Sequence, residues 1–202
     1  MRELILKMHI SVDGFVGTLD GGNEWMFGSD PEAITGVVET LWNASLHIMG
    51  SRAFEMAAYW PTSTAVFAPP MNQIPKAVFS KQGPAILKLA TAAAAHGAGQ
   101  PAEMQPGGES WAQAYVASGD LAEEVAKLKA QEGKPIIAHG GASFVRSLVA
   151  QGLIDQYNLM VHPVVLGQGL PIFSDLTAPR GLKLVSSKAF AGGSVAQVYR
   201  PA

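Results

Sequence analysis

The sequence predicts an α/β protein in which a mostly parallel sheet lies between two layers of helices and ends in an antiparallel C-terminal hairpin. Short apolar segments typical of strands alternate with segments of helical periodicity along the 202 residues. A pattern of strand, glycine turn and helix recurs, and parallel strands joined by helices give this layered arrangement. The last two predicted strands are joined by Gly192-Gly193, which is typical of a β-hairpin.

The composition favours one globular domain over residues 1–202 and excludes several functional classes. Hydrophobic residues make up 48% and charged residues 15% of the chain, a balance typical of a well-packed core. The net charge of -2 and the lack of a long basic run argue against nucleic-acid and polybasic membrane contacts. The absence of cysteine excludes disulfides, thiolate catalysis and cysteine-ligated zinc. No signal pattern or membrane-spanning apolar run is apparent, so a cytoplasmic location is expected.

The first strand is predicted from the alternation of apolar residues between positions 4 and 10. It leads into the segment SVDGFVG at 11–17 and a longer loop rich in glycine and acidic residues. A long loop directly after a strand is more often functional than idle. The next helix is predicted to begin near Asp30, with Pro31 in its first turn.

The middle of the chain repeats the same arrangement. A second strand at 46–49 runs into Gly50-Ser51-Arg52 and a short helix, and a third strand at 76–80 is followed by Lys81. We expect an alanine-rich helix at 85–95, a loop at 97–108 and a strand within 111–116. Asp120 and Glu123 predict a capping box for a helix that ends by Gly133.

The stretch from Lys134 to Phe173 predicts a βαβ unit around which the rest of the chain is organised. A strand at 135–138 ends in His139-Gly140-Gly141, a helix begins at Ala142 and ends near Gly152, and a strand follows from Tyr157. Glycines at a helix N-terminus suit an anion, because unpaired amides and the helix dipole favour negative charge there. The alternative is a turn that only connects two elements. The Rossmann fingerprint G-x-G-x-x-G is absent.

Three motifs carry a family resemblance over nearly the whole chain. IIAHGGASFVRSLVAQGLIDQYNLMVHPVVLGQGLPIF, together with SVDGFVG and IMGSRAFE, resembles the dihydrofolate reductase-like superfamily. Within it, the chain is similar to the group related to the C-terminal reductase domain of bifunctional riboflavin-biosynthesis proteins, the RibD C-terminal domain. Residues of about 82–110 then read as an insertion. The resemblance implies a three-layer fold, NADPH as hydride donor, a flat heterocycle as acceptor and self-association as a homodimer.

The resemblance also implies which residues bind NADPH, from two glycine turns and the exit of the first strand. Ser51 and Ala53 depart from the arginine and threonine usual in the family, which bears on the strength of cofactor binding. The residues implied to bind the cofactor are Gly50, Ser51 and Arg52 at the phosphates; Ser80 and Lys81 near the 2′-phosphate; His139, Gly140, Gly141, Ala142, Ser143 and Phe144 at the pyrophosphate; and Val12, Asp13, Val16 and Gly17 along the nicotinamide.

The catalytic and substrate candidates each have a structural alternative. Asp30 matches the carboxylate that helps protonate the reduced C=N bond in folate-reducing members, but Asp-Pro-Glu is also an ordinary helix cap. Asp13 can equally be a turn residue before Gly14. Trp25 and Phe54 could stack on a flat substrate or belong to the core. The histidines lack metal-ligand spacing, so no metal site is expected.

These expectations lead to an NADPH-dependent reductase of a C=N or related bond, acting on a pterin such as dihydrofolate or on a ribosylated pyrimidine of flavin biosynthesis. Fold likeness cannot choose between these substrates. Two other functions stay open: a non-catalytic sensor or carrier that binds NADPH or a pterin, and an interaction module with a vestigial cleft.

Overall fold

The computed structural model describes residues 1–27, 30–56, 59–88 and 103–202. The strands form an eight-stranded, mostly parallel sheet with antiparallel C-terminal strands, which confirms the predicted α/β fold class. The chain divides into two compact units: the first contains Met1–Arg2 and Val38–Ile137, and the second contains Glu3–Val37 and Ala138–Ala202. A single domain with an insertion at about 82–110 stays a prediction, and residues 89–102 of that segment lie outside the described residues.

The element bounds agree with the periodicities of the sequence. The strands are β1 (Leu4–Ser11), β2 (Leu46–Gly50), β3 (Lys76–Phe79), β4 (Tyr115–Ala117), β5 (Ile136–Ala138), β6 (Gln156–His162), β7 (Leu182–Ala189) and β8 (Val195–Pro201). The described α-helices are α1 (Pro31–Trp42), α2 (Ser51–Met56), α3 (Ala68–Gln73), α4 (Leu121–Ala130) and α5 (Ala142–Ala150). The predicted helix at 85–95 falls largely outside the described residues, and so does the first half of the predicted loop at 97–108.

In the first unit, β2, β3 and β4 are parallel neighbours with β3 in the middle. Their side chains pack with those of the short helices, and Ile48, Ala77 and Val78 are completely buried. Asp120 caps α4, since its carboxylate accepts a hydrogen bond from the Glu123 amide at 3.1 Å, as the capping motif predicted. The helix ends at Ala130, three residues before Gly133.

The predicted strand at 111–116 is wrong in its first half. The segment Gly108–Trp111 is a 3-10 helix, and β4 begins only at Tyr115. Trp111 is 1% exposed, and its indole N–H donates to the Asn72 side-chain oxygen at 2.8 Å. The tertiary position of this indole, bonded to a residue distant in the chain, therefore overrides the local strand pattern.

In the second unit, β1 pairs in parallel with β6, β6 pairs antiparallel with β8, and β8 pairs antiparallel with β7. The apolar face predicted for the first strand is confirmed, because Leu4 and Leu6 are completely buried and Ile10 is nearly so. Helix α5 ends at Ala150, close to Gly152 as predicted, and the φ of 68° at Gly152 is a left-handed conformation that glycine adopts without steric cost. None of the helices in the described ranges combines the length and apolar character needed to span a membrane.

Candidate functional site

The start of α5 is an uncapped helix N-terminus that borders open space. Gly141 is the N-cap residue, and its backbone is extended, with φ of -74° and ψ of 176° and no side chain capping the following amides. A Cβ atom built on Gly141 would meet no protein atom within 4 Å. Ala142 and Ser143 open the helix, and Ser143 is exposed. The first amides of α5 are thus able to bind an anion, because no side chain caps them and a Cβ on Gly141 would lie in open space.

Two exposed cations follow neighbouring strands of the first unit. Arg52 lies in the first turn of α2, directly after Gly50 and Ser51, and Lys81 follows β3. Because β2 and β3 are parallel, with Gly50 opposite Phe79, both cations lie at the same edge of this unit. Arg52 makes no hydrogen bond or ion pair within the described residues. An arginine and a lysine at one edge can bind a phosphate group.

Ser80 is a structural residue beside Lys81. It is 7% exposed, its amide donates to the Ala117 carbonyl at 3.0 Å, and its hydroxyl accepts from the Gln82 amide at 3.2 Å. The Ser80 side chain therefore fixes the turn that presents Lys81 to solvent.

Asp13 holds two segments of the second unit together. Its carboxylate accepts a hydrogen bond from the Ser11 hydroxyl at 2.7 Å, from the Gly167 amide at 2.7 Å and from the Leu166 amide at 3.1 Å. The Ser11 hydroxyl is the largest cause that lowers the Asp13 pKa, and the two amides lower it further. This supports the turn-residue interpretation of Asp13.

The other residues predicted along the nicotinamide are held by their backbone atoms. The Val16 amide donates to the Leu170 carbonyl at 3.0 Å, and the Leu170 amide donates to the Gly17 carbonyl at 2.8 Å. Val16 is nearly buried, whereas the Val12 side chain is 62% exposed. The segment therefore has a fixed backbone and offers the Val12 side chain to a ligand.

Asp30 acts as a helix cap and as an anchor for the C-terminal hairpin. Its Oδ1 accepts from the amides of Glu32 at 3.0 Å and Ala33 at 3.1 Å, and its Oδ2 accepts from the Gly192 amide at 3.0 Å. The Ala33 amide, followed by the Gly192 amide, lowers the Asp30 pKa. A carboxylate that is ionised and bonded at both oxygens is poorly suited to donate a proton, so the contacts favour the capping role.

The two aromatic candidates differ in their surroundings. Phe54 is completely buried and packs against Trp111 with ring centroids 5.6 Å apart, so it belongs to the core of the first unit. Trp25 lies in a 3-10 helix, is partly exposed, and meets the His162 ring edge-on at 5.6 Å between centroids. Trp25 therefore remains a candidate for ligand contact. Phe54 does not, because its side chain is buried in the core.

A chain of three basic side chains next to Trp25 was not recognised in the sequence. Lys7 Nζ lies 2.8 Å from His9 Nε2, and His9 Nδ1 lies 2.7 Å from His162 Nε2. The two imidazole rings stack with centroids 5.0 Å apart. We refer to Lys7, His9 and His162 as the basic chain. The sequence does place Lys7 and His9 on one face of β1 and His162 at the end of β6. It does not show that β1 and β6 are neighbours in the sheet.

Burial lowers the pKa of every member of the basic chain. It lowers the pKa of Lys7 to about 8. The His9 pKa is well below its usual value because of burial, with smaller contributions from the Lys7 and His162 charges. The His162 pKa is lowered by burial and then by Lys7. Both histidines are consequently neutral at pH 7, and Lys7 is a weakly held cation.

The first unit contains a separate cavity of about 430 Å³ at the amino end of β3. Lys76 lies in its wall, 2% exposed, and burial lowers the Lys76 pKa to about 7 against an opposing effect of Glu109. Because Lys81 follows the other end of β3, this cavity is distinct from the edge that carries the two exposed cations.

Among the described residues, no group of three or more side chains is arranged to hold a metal ion.

Known proteins resemble this chain over nearly its whole length, both in sequence and in structure. It is 29% identical over 198 residues to the uncharacterized protein YyaP of Bacillus subtilis, covering 98% of this chain and 94% of the relative. It is similar in fold to a crystal structure of a putative riboflavin biosynthesis protein from Shewanella sp. PV-4, with a TM-score of 0.71, 19% identity and 99% coverage of both chains.

A dihydrofolate reductase from Enterococcus faecalis, complexed with NADP(H), shares the fold with a TM-score of 0.58 and 11% identity, covering 98% of this chain and 96% of that one. The family model described as the RibD C-terminal domain matches residues 2–196 of the sequence. That match covers nearly the whole chain, so this protein belongs to the RibD C-terminal domain family.

Proposed function

We propose that this protein is a cytoplasmic NADPH-dependent reductase that transfers a hydride to a pterin-like or pyrimidine heterocycle. Membership of the RibD C-terminal domain family carries this proposal, since the family match extends over residues 2–196. The fold shared with an NADP(H)-bound dihydrofolate reductase is consistent with the same cofactor. The substrate is either a dihydropterin or a ribosylated aminopyrimidine of flavin biosynthesis.

The described residues have the chemistry that NADPH requires. The uncapped start of α5 and the open space at Gly141 suit a pyrophosphate, which needs amide donors and close approach to the backbone. The exposed cations Arg52 and Lys81 suit the phosphates and the 2′-phosphate. The residues proposed to hold the cofactor are Gly50, Ser51, Arg52, Ser80, Lys81, His139, Gly140, Gly141, Ala142, Ser143 and Phe144, with Val12, Asp13, Val16 and Gly17 along the nicotinamide.

NADPH, when bound, supplies the hydride, and the protein supplies binding, orientation and a proton. The Asp13 contacts with Leu166 and Gly167 keep the loop after β1 in one conformation. A fixed loop can hold the two reacting groups in one orientation, which accounts for much of the acceleration in such reactions. The Trp25 ring, partly exposed beside His162, is proposed to stack on the flat substrate.

The experiment that tests the reductase proposal has two stages. Calorimetric titration with NADPH and NADH measures cofactor binding, and NADPH oxidation is then followed with a panel of dihydropterins and ribosylaminopyrimidines. We expect tighter binding of NADPH than of NADH, and oxidation with one of the two substrate classes. Binding without oxidation by any heterocycle would instead favour the non-catalytic sensor or carrier, and failure to bind either dinucleotide would contradict both functions.

The homodimer expected from the family is also proposed, with β7 as the contact. All eight residues of β7 are exposed, including Leu184 at 51% and Val185 at 55%. An exposed edge strand that carries apolar side chains suits pairing with a second copy. Light scattering should give a dimer mass for the native chain and a monomer mass for Val185→Lys, and an unchanged monomer in both would contradict this contact.

A further inference from the structure

We propose that His162 is the proton donor of the reduction and that Lys7 resupplies its proton through His9. This inference deepens the proposed reductase function and rests on it. It names a catalytic residue and two positioning residues that neither the sequence motifs nor the family match single out.

The hydrogen-bond directions of the basic chain follow from the properties of the Lys7 ammonium group. An ammonium group can only donate, so His9 Nε2, at 2.8 Å from Lys7 Nζ, must be the acceptor. A neutral His9 then carries its proton on Nδ1, from which it donates to His162 Nε2 at 2.7 Å. A neutral His162 therefore carries its own proton on Nδ1. Lys7 fixes the tautomers of both histidines in this way.

The proton on His162 Nδ1 is available to a ligand. Within the described residues, the Nδ1 atom of His162 has no hydrogen-bond partner, and neither has the buried indole N–H of Trp25. The Trp25 ring meets the His162 ring edge-on at 5.6 Å between centroids, so an aromatic face and an N–H donor belong to neighbouring rings. A flat heterocycle with a nitrogen or carbonyl acceptor matches such a combination.

The position of the basic chain within the second unit also suits catalysis. His162 is the last residue of β6, opposite Ser11 at the end of β1, where the chain enters the 11–17 segment. In open α/β sheets, ligands bind at the carboxyl ends of parallel strands. Lys7 and His9 remain partly exposed although they lie on β1, which has paired strands in the sheet, as groups that line a cleft do.

In the part of the chain that the structure describes, no carboxylate acts on the pKa of Lys7, His9 or His162. Among the described residues, Lys7 is the charged side chain that acts on the pKa of both histidines. Burial alone, and no neighbouring charge, lowers the pKa of Lys7. Asp13 is committed to Ser11, Leu166 and Gly167, and Asp30 is committed to the start of α1 and to Gly192.

The proposed step balances protons and electrons. The C=N carbon of the substrate gains the hydride with its two electrons, the double bond becomes single, and the nitrogen takes the proton from His162 Nδ1. His162 Nε2 then takes the proton of His9 Nδ1, and His9 Nε2 takes one from Lys7. The chain ends with a neutral amine on Lys7 and with both imidazoles protonated on Nε2. Water reprotonates Lys7, and proton exchange of the imidazoles with water restores Nδ1 protonation before the next turnover. The pKa of Lys7 near 8 supports this, since such an ammonium is charged at pH 7 yet releases a proton readily.

Nitrogen NMR of the imidazole side chains tests the chain without any turnover. In the native protein at pH 7, we expect His9 and His162 to be neutral with the proton on Nδ1. Lys7→Met should remove this preference in His9, whereas the matched control Lys134→Met, at an exposed lysine between α4 and β5, should leave both spectra unchanged. A native His162 protonated on Nε2, or a doubly protonated His162 at pH 7, would overturn the proposal.

Steady-state kinetics of His162→Asn and Lys7→Met test the chemical step. His162→Asn should lower kcat by about 100-fold or more, the usual contribution of a positioned acid, with little change in the NADPH dissociation constant. In the native enzyme kcat should fall as pH rises through about 8, because Lys7 must be charged to reload the chain. Lys7→Met should lose that pH dependence while the NADPH dissociation constant stays near its native value.

The outcomes separate this inference from the reductase proposal. If the native protein oxidises NADPH with none of the heterocycles, the reductase proposal itself fails. If the native protein is active and His162→Asn keeps its kcat, only the proton-donor assignment fails. A thermal melt shows whether His162→Asn is folded. If it is not, the pH profile of kcat in Lys7→Met tests the proposal instead, and an unchanged profile in that variant contradicts the proposed resupply of the proton.

Discussion

Two lysines with a lowered pKa, one in each unit of the molecule, have different partners and therefore different roles. Lys76 Nζ donates to the carbonyl oxygens of Asn72 at 2.9 Å and Ile74 at 2.6 Å, and to the Ser110 hydroxyl at 2.5 Å. Lys7 Nζ has a single partner within the described residues, the nitrogen of His9 at 2.8 Å. Both amines have a lowered pKa, about 7 for Lys76 and about 8 for Lys7.

The difference teaches that the acceptors, more than the burial, distinguish a structural lysine from a reactive one. Backbone carbonyls accept hydrogen bonds but do not take up protons near neutral pH, so Lys76 is fixed and connects α3 to the segment around Ser110. An imidazole nitrogen can accept a proton outright, so Lys7 can pass one on. Lys76 also lies 5.0 Å from the Trp111 ring centroid, a cation–π contact that adds to its structural role.

The largest expected effect is on the stability of a Lys76→Met variant. The substitution leaves the Ile74 carbonyl oxygen without its lysine donor, whereas the Asn72 carbonyl keeps the Ser110 hydroxyl. A buried carbonyl without a donor costs about 1–3 kcal/mol. We expect the free energy of unfolding in urea to fall by about 1–3 kcal/mol. The matched variant Lys7→Met should change it by less than about 1 kcal/mol, because replacing a buried charge by an apolar chain is often neutral. Equal losses would remove the distinction between the two lysines.

The second-largest effect is expected at Arg52, which makes no hydrogen bond or ion pair within the described residues. Arg52→Glu should raise the KM for NADPH by about 10- to 100-fold, the value of a charge-assisted hydrogen bond, with little change for NADH. Lys134→Glu, at an exposed lysine between α4 and β5, makes the same change of net charge and serves as the control. Steady-state kinetics with both cofactors measure the effect, and equal increases for NADPH and NADH would refute a 2′-phosphate role.

A smaller effect is expected where the protein leaves space for a ligand. Gly141→Ala should weaken NADPH binding by about 10-fold, since the added methyl enters the region proposed for the pyrophosphate. It should not destabilise the protein through a clash, because the Cβ meets nothing within 4 Å. Calorimetry measures the binding, with Gly36→Ala as the control, as its Cβ also meets nothing. Unchanged binding in Gly141→Ala would exclude this approach of the cofactor.

The smallest effect is expected for Asp30→Asn. Like Lys76, Asp30 has its hydrogen-bonding atoms occupied by backbone partners, since both carboxylate oxygens accept from amides. We expect kcat to stay within about two-fold, because asparagine also caps helices and the proposed donor is His162. The folded pKa of Asp30 lies below its unfolded value, so its stabilising effect is present above the unfolded pKa and is lost as pH falls through the folded one. The native protein should therefore lose more stability than Asp30→Asn in acid urea titrations, whereas a large loss of kcat would restore Asp30 as the acid.

The local structure of this protein was largely predictable because it depends on neighbouring residues. The apolar run at 46–49 became a strand at Leu46–Gly50, and Asp120 accepts the Glu123 amide as its spacing predicted. Trp111 was misassigned because its bond to Asn72 spans 39 residues, and no local pattern contains that contact. The roles of the cofactor-binding residues, taken from the resemblance, stay predictions.

The sequence by itself determined the periodicities, the glycine turns, the helix caps and the family, since each depends on short-range geometry or on a continuous motif. Only the tertiary structure decided that β1 lies beside β6 and brings His9 against His162, 153 residues away. Alternation shows which side chains share one face of a strand, but it does not show which strand lies alongside. Burial and partners, which separate Lys7 from Lys76, arise only from that lateral pairing and the packing around it.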